Sequence, residues 1–311
     1  MSIERDIERS HVPVLAEQVC DLLNPQPGDV IVDLTAGRGG HAALLAKNGG
    51  QGTKVILFDL DKENLQFATT RLQLLGFDVQ AHHANFVTAA ALLMDAGIQA
   101  DCVLADLGFS SNQMDDPQRG FSFGTDGPLD MRFDPSIGAT AADLVNSMSQ
   151  EELANTIYYL GEEPYSRRIA QKITQERHQK PILTTARLAQ LVRDAYGVRA
   201  HSSRLHPATR TFMALRIAVN GELDALDALL TDVESGGRKV GCGGWLSSSA
   251  RIAVISFHSL EDRRVKQSFV ALEKNGLAKR LTRKPIRATN EEHAINPRSR
   301  PAKLRAVQLG S

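Results

Sequence analysis

Three apolar runs in the first third of the chain each end on an aspartate, and stretches with helical spacing separate them. "VIVD" ends on Asp33, "KVILFD" on Asp59 and "ADCVLAD" on Asp106. Parallel strands need long crossovers, normally helices, so this alternation predicts an α/β fold with a doubly wound parallel sheet. The crossovers should be right-handed. All strand ends then meet at one edge, where open α/β sheets bind ligands. Strands are expected over residues 30–33, 54–59, 78–82, 100–106 and 251–257, and helices over 41–47, 62–75 and 88–95. In the second of these helices Leu65, Ala68, Leu72 and Leu75 recur near helical spacing, and Gly76 ends it.

The rhythm breaks after Asp106. Residues 109–140 are rich in Gly, Pro, Asp, Ser and Phe without a clear period. Helical stretches follow at 141–146, 150–160, 165–179 and 184–195 with no strong strand between them. That is an all-helical insertion of about 100 residues, an ordinary domain size. A long helix is then expected over 209–230, started by Thr209 or Thr211, with Phe212, Leu215, Val219, Leu223, Leu226 and Leu230 as its apolar stripe. Ser259 with Asp262 can cap the helix after the fifth strand. Segments 279–287 and 303–309 can pair antiparallel at the sheet edge. The resulting division is 1–108 and 208–311 for the two parts of the sheet domain and 109–207 for the insertion.

Formal net charge is zero, so the overall balance gives no sign of a nucleic-acid binder, yet residues 279–305 are crowded with Lys and Arg. Cys20, Cys102 and Cys242 are widely spaced and form no CxxC pair, which speaks against a disulfide framework or zinc site and for a reducing cytosol. The N-terminal segment lacks an apolar signal core, and no run approaches the roughly 20 apolar residues of a membrane span. A cytoplasmic protein without a membrane segment is expected.

After Asp33 comes "LTAGRGGH". A dinucleotide fingerprint reads G-x-G-x-x-G, but here its third glycine falls on Ala42, and no phosphate-cradling P-loop is present. An ordinary strand–helix turn and a nucleotide-holding turn both remain open from the glycines alone. Asp59, about 20 residues on, stands where a carboxylate can bind ribose hydroxyls. Asp61 can compete for that role, and Phe86 follows the third strand at the same edge.

The motifs "HVPVLAEQV" from His11, "GRGGH" from Gly37, "DLGFSSNQMDDPQRGFSFGTDGPLDMR" from Asp106, "HPATRTFMALRIAVN" from His206, "ISFHSLEDR" from Ile255 and "NPRSRPAKLRA" from Asn296 occur in this order. Together they closely resemble the bacterial ribosomal RNA small-subunit methyltransferase H family, also called MraW, over essentially the whole chain. The resemblance implies a class I, Rossmann-like methyltransferase sheet with a helical insertion. It implies methylation of the exocyclic N4 of a decoding-centre cytidine in 16S ribosomal RNA, as naked RNA or in a small-subunit particle, with S-adenosylmethionine as cofactor. Gly39, Gly40, His41, Asp59, Phe86, Asp106 and Gln113 match cofactor-binding positions. This cofactor has no pyrophosphate, so the missing third glycine is consistent with it.

Asp106 is the candidate catalytic residue, accepting a hydrogen bond from the target amine. Neither a nucleophilic cysteine nor a metal is needed, because N4 itself attacks. For the substrate side, Phe121 and Phe123 either stack on an unpaired base or anchor a long loop. Arg132 either contacts phosphate or pairs with the local acids, Arg210 can reach a phosphate, Arg298 either holds RNA backbone or lies on a solvated tail, and His258 is either a structural histidine or a site residue. An NAD-dependent dehydrogenase and a cofactor-binding assembly factor without activity are the alternatives. Phe109 stands where the family commonly has Val, and residues 235–249 are longer than the family's usual turn.

Overall fold

A computed structural model of the chain describes residues 13–202 and 206–310, so His11 of the first motif lies outside the described residues. The chain divides into two compact units, residues 1–108 with 223–311 and residues 109–222.

In the first unit, helix α1 (Ala16–Leu23) leads into β1 (Val30–Asp33), α2 (Gly40–Gly49), β2 (Lys54–Asp59), α3 (Lys62–Leu74), β3 (Asp78–His83), α4 (Ala89–Asp95) and β4 (Ala100–Asp106). The sheet order is β3-β2-β1-β4-β5-β7-β6, where β5 is Leu246–Ser256, β6 Ala278–Arg280 and β7 Lys303–Leu309. β1 to β5 are parallel, and β7 runs antiparallel to both β5 and β6. The α/β class and the antiparallel edge pair are therefore as expected. Successive strand residues point to opposite faces, and the packing follows this alternation. Val32, Val103 and Ile252 join one core cluster, and Ile31, Cys102, Leu104 and Ala253 join the other.

Register also aligns the acids. Asp33 pairs with Leu57 on β2 and Leu104 on β4. Asp59 and Asp106 lie two residues farther along those strands, so all three aspartates belong to the same face of the sheet.

The second unit is helical: α5 (Ser111–Asp115), α6 (Ala141–Ser147), α7 (Gln150–Gly161), α8 (Ser166–Arg177), α9 (Thr185–Tyr196) and α10 (Ala208–Asn220). Capping boxes on Thr140 with Asp143 and Ser149 with Glu152 start α6 and α7. Leu153, Ile157, Ile169, Ile173, Leu188 and Val192 are among the buried residues of its core.

Three local expectations are corrected. The single helix over 209–230 is two helices, because Gly221 takes φ +58°, a left-handed conformation that ends α10 before α11 (Glu222–Arg238) begins. The apolar stripe hides this break, since its residue spacing runs on across Gly221 in the sequence. Neither Thr209 nor Thr211 caps α10: Nδ1 of His206 accepts from the Ala208 N–H at 3.2 Å, and Thr211 is buried. Helix α12 (Ser259–Lys274) is capped at His258 with Glu261, one residue before the expected Ser259 and Asp262. The long 235–249 segment is partly α11 and partly β5. Its Trp245 is buried and donates through Nε1 to the Asp232 carbonyl at 3.1 Å. A short α13 (Asn290–Ile295) precedes β7.

Candidate active site

The turn after β1 is fastened by the strand-end acids. The Gly37 N–H donates to one Asp59 oxygen at 2.7 Å, and the Asp61 N–H donates to the other at 2.7 Å. The Asp106 N–H donates to Thr35 Oγ1 at 2.6 Å, which ties β4 to the same turn. Asp33 accepts from the Thr35 N–H at 3.1 Å. Asp61, expected as a competitor of Asp59, instead caps α3, accepting from the N–H groups of Glu63 and Asn64 at 3.1 Å each.

The glycines here have packing reasons. Gly39 has φ +72°, and a Cβ on it would lie 3.1 Å from Ala68 of α3. A Cβ on Gly40 would lie 2.7 Å from Cγ of Pro13. These close approaches set His41 in the first turn of α2, 7% exposed.

Burial acts strongly on two of the acids. It pushes the Asp33 carboxyl up to about 7, against the opposing pull of His41. It pushes Asp59 up to about 6, against the backbone N–H groups of Asp61 and Gly37 that favour its ionised form. At Asp106, Oδ1 is buried without a hydrogen-bond partner, and so is Nε2 of His41. Asp106 Oδ2 and His41 Nε2 lie 3.5 Å apart, too far for a good hydrogen bond. Buried polar atoms are normally satisfied. Three acids at one edge and two unsatisfied atoms among them fit a ligand that brings positive charge and N–H donors.

Phe86 opens a short 3-10 turn after β3 and packs against the sheet core. Two residues before it, the Ala84 N–H donates to the Asp59 carbonyl at 3.2 Å, which keeps this turn at the end of β2. His258 follows β5, its Nε2 3.0 Å from Glu261 Oε1. Glu261 also accepts from the N–H groups of Phe257 and His258 at 2.7 and 3.2 Å. Arg298 is exposed in a 3-10 turn before β7.

The remaining predicted residues belong to the helical unit. Gln113 is 4% exposed, and its side chain accepts from the Ser110 N–H at 2.9 Å as the cap of α5. Phe121 is 6% exposed and stacks on Phe109 and Phe133 at 5.2 and 5.8 Å, so its ring serves the core of this unit. Phe123 stacks on His206 at 4.5 Å and meets Phe212 edge-on. Arg132 gives a two-pronged contact to Asp130 at 2.9 and 2.7 Å. Arg210 donates to the Glu162 carbonyl at 3.1 Å. Phe121 and Arg132 make these contacts within their own unit.

Sequence reasoning missed Thr35 and Glu261. Thr35 lies inside the glycine motif, where the glycines drew attention. Glu261 lay one residue from the expected cap pair, and a histidine at the cap position hid it.

The sequence profile of the MraW methylase family matches residues 8–309. A relative in Cyanothece sp. named ribosomal RNA small subunit methyltransferase H is 46% identical over 98% of this chain and 96% of its own. Relatives of the same name in Syntrophotalea carbinolica and Citrifermentans bemidjiense are 45% and 42% identical, over 96% of this chain and 97% and 98% of theirs. Among solved structures, an rRNA methylase from Streptococcus thermophilus aligns at 11% identity and a TM-score of 0.40, over 97% of this chain and 100% of that one. With its profile matched from end to end and relatives this similar over nearly their full length, the chain belongs to the MraW methylase family.

Proposed function

We propose that the chain methylates the exocyclic N4 of a specific cytidine in the decoding centre of 16S ribosomal RNA. At the coarser level it is an S-adenosylmethionine-dependent rRNA methyltransferase, as its family and its relatives' names indicate. Family membership leaves the NAD-dependent dehydrogenase without support. The observation that carries the N4 reading is the unsatisfied, buried Oδ1 of Asp106 at the end of β4. An amine N–H is a donor suited to that oxygen.

The cofactor, when bound, supplies an electrophilic methyl group on a cationic sulfur. Gly39, Gly40, His41, Asp59, Phe86, Asp106 and Gln113 are the residues assigned to hold it. Asp33 and Asp59 add negative charge beside its positive groups once ionised. Asp106 accepts a hydrogen bond from N4–H and turns the nitrogen lone pair, otherwise delocalised into the ring, towards the methyl carbon. Orientation and fixed electrostatics of this kind are the enzyme's main means of acceleration. The base must be unpaired or drawn out of its stack.

On the substrate side, Phe123, Arg210, His258 and Arg298 remain assigned to RNA. Phe121 and Arg132 act by holding their own unit together. Small-subunit rRNA is the proposed partner, and it supports the cytoplasmic reading. Among the described residues no helix is long and apolar enough to cross a membrane.

The test is nucleoside mass spectrometry of small-subunit rRNA from cells with and without the protein. N4-methylcytidine should disappear at one position in its absence and return with the wild-type gene. Loss of a C5-methyl or ribose methyl mark instead would overturn the N4 assignment. No change in any mark would favour an assembly factor without activity.

A further inference from the structure

The helical unit spends most of its described basic side chains on itself. Arg132, Arg187 and Arg216 are paired with Asp130, Glu176 and Glu222. Arg119 and Arg177 donate to backbone carbonyls. Arg167, Arg168 and Lys172, all exposed on α8, have no side-chain hydrogen bond or ion pair among the described residues, as is also true of Lys180 past the other end of that helix. Arg168 and Lys172 are four residues apart and share a helix face. Arg167 and Arg168 lie in the first turn of α8, where the helix dipole disfavours cations, so their charges gain nothing from the helix there.

An exposed aromatic pair accompanies them. Tyr158 and Tyr159, near the end of α7, are 53% and 66% exposed and meet edge-to-face at 5.1 Å. Only residues 162–165 separate α7 from α8, and the two helices pack together, so the tyrosines and the first-turn arginines come to the same end of the hairpin. That end is held firmly. Glu163 is fully buried and accepts from the Tyr165 N–H at 2.8 Å and the Tyr196 hydroxyl at 2.6 Å. Unspent cations beside exposed rings on a fixed turn match the chemistry of RNA, phosphates for the former and base faces for the latter.

We propose that this hairpin end is an RNA-anchoring surface of the helical unit. Arg167, Arg168 and Lys172 take backbone phosphates, and Tyr159, with Tyr158 behind it, takes the face of an unpaired base. The assignment rests on the rRNA-methyltransferase reading and names a substrate contact away from the reacting atoms.

The test uses the full chain with two probes, a small-subunit rRNA transcript and small ribosomal subunits from cells lacking the protein. Replacing Arg167, Arg168 and Lys172 together by Ala should lower the steepness of log K against log salt by about 2, since each neutralised phosphate contributes about 0.7 on a single strand. RNA affinity should fall about 10- to 100-fold and KM for RNA should rise, with cofactor affinity and melting temperature unchanged. Tyr159→Ala should weaken binding about 5-fold or more, and Tyr159→Phe should restore it. A triple variant with wild-type salt dependence overturns the surface while leaving the enzyme reading intact. A defect on assembled subunits but not on the transcript overturns it in favour of a protein contact. A wild-type chain that neither binds nor methylates either probe overturns the rRNA reading itself.

Discussion

Asp106 and Asp130 lie in the same long motif, and the fold uses them in opposite ways. Asp130 gives both carboxylate oxygens to Arg132 and so closes a loop of the helical unit on itself. Asp106, at the end of a parallel strand, keeps a buried oxygen without a partner. The same contrast separates Phe121, stacked into a core, from the exposed Tyr159. Residues whose interactions are complete stabilise the structure, whereas residues left incomplete at a fixed position are available to a ligand. An unsatisfied buried polar atom is costly, so its persistence at a sheet edge where ligands bind is informative.

The comparison breaks most visibly at Phe121. Phe121→Ala should destabilise the chain by about 3–5 kcal/mol through loss of a buried ring, read as a lower chemical-denaturation midpoint. A stable variant with impaired RNA binding would return this ring to the substrate side. Asp106→Ala should do the reverse. Its turnover should fall on the order of 100- to 1000-fold, the scale seen when a polar group aimed at reacting atoms is removed. Its melting temperature should stay close to wild type, because no hydrogen bond to its side chain is lost. Near-normal methyl transfer in that variant removes Asp106 from the chemistry.

Gly39 tests a subtler division between structure and ligand. With φ +72° and Ala68 3.1 Å from an added Cβ, Gly39→Ala should cost about 1–2 kcal/mol of stability in the cofactor-free protein. If packing is its main task, cofactor affinity per folded molecule falls less than stability does. Titration calorimetry beside thermal melts decides this, and a loss of affinity with no loss of stability favours direct approach of backbone to ligand.

Much of this was legible in the sequence because parallel strands obey a strict geometry. Runs that end in Asp33, Asp59 and Asp106 had to reach one edge, and period-2 alternation together with the register puts the three acids on one face. Helix phase was equally readable, but helix continuity was not. The stripe through Phe212, Leu215, Leu223 and Leu226 runs on across Gly221, and only the backbone angle there shows the break. Partners of loop side chains were the least legible. Nothing periodic announces that Arg132 reaches back to Asp130, that His206 accepts from the first N–H of α10, or that Glu261 rather than Asp262 closes the box on α12. The exposure of Tyr158 and Tyr159 has no mark in the sequence, where two adjacent aromatics on a helix are equally compatible with a core.

A last effect concerns pH and follows from how the edge acids are buried. Asp33 is raised to about 7 mainly by burial, with Asp106 and Asp59 adding repulsion and His41 opposing. Asp59 is raised to about 6, again mainly by burial, with Asp61 adding to it and His83 opposing. In the unfolded chain an aspartate titrates near 3.9. From about pH 4 to about pH 7 the folded chain therefore holds more protons than the unfolded one, and stability falls as pH rises through that window. The contribution is complete below about pH 4 and gone above about pH 7. Asp33→Asn keeps the acceptor for the Thr35 N–H but cannot ionise. It should flatten this decline by up to about 1.4 kcal/mol per pH unit between pH 5 and 7, measured by denaturant unfolding at several pH values. An unchanged slope would show that the buried carboxyl does not titrate there. A cationic ligand at this edge favours the ionised acids, so cofactor binding near pH 6 should release protons. Calorimetry in buffers of different ionisation heat reads that release, and Asp33→Asn should reduce it.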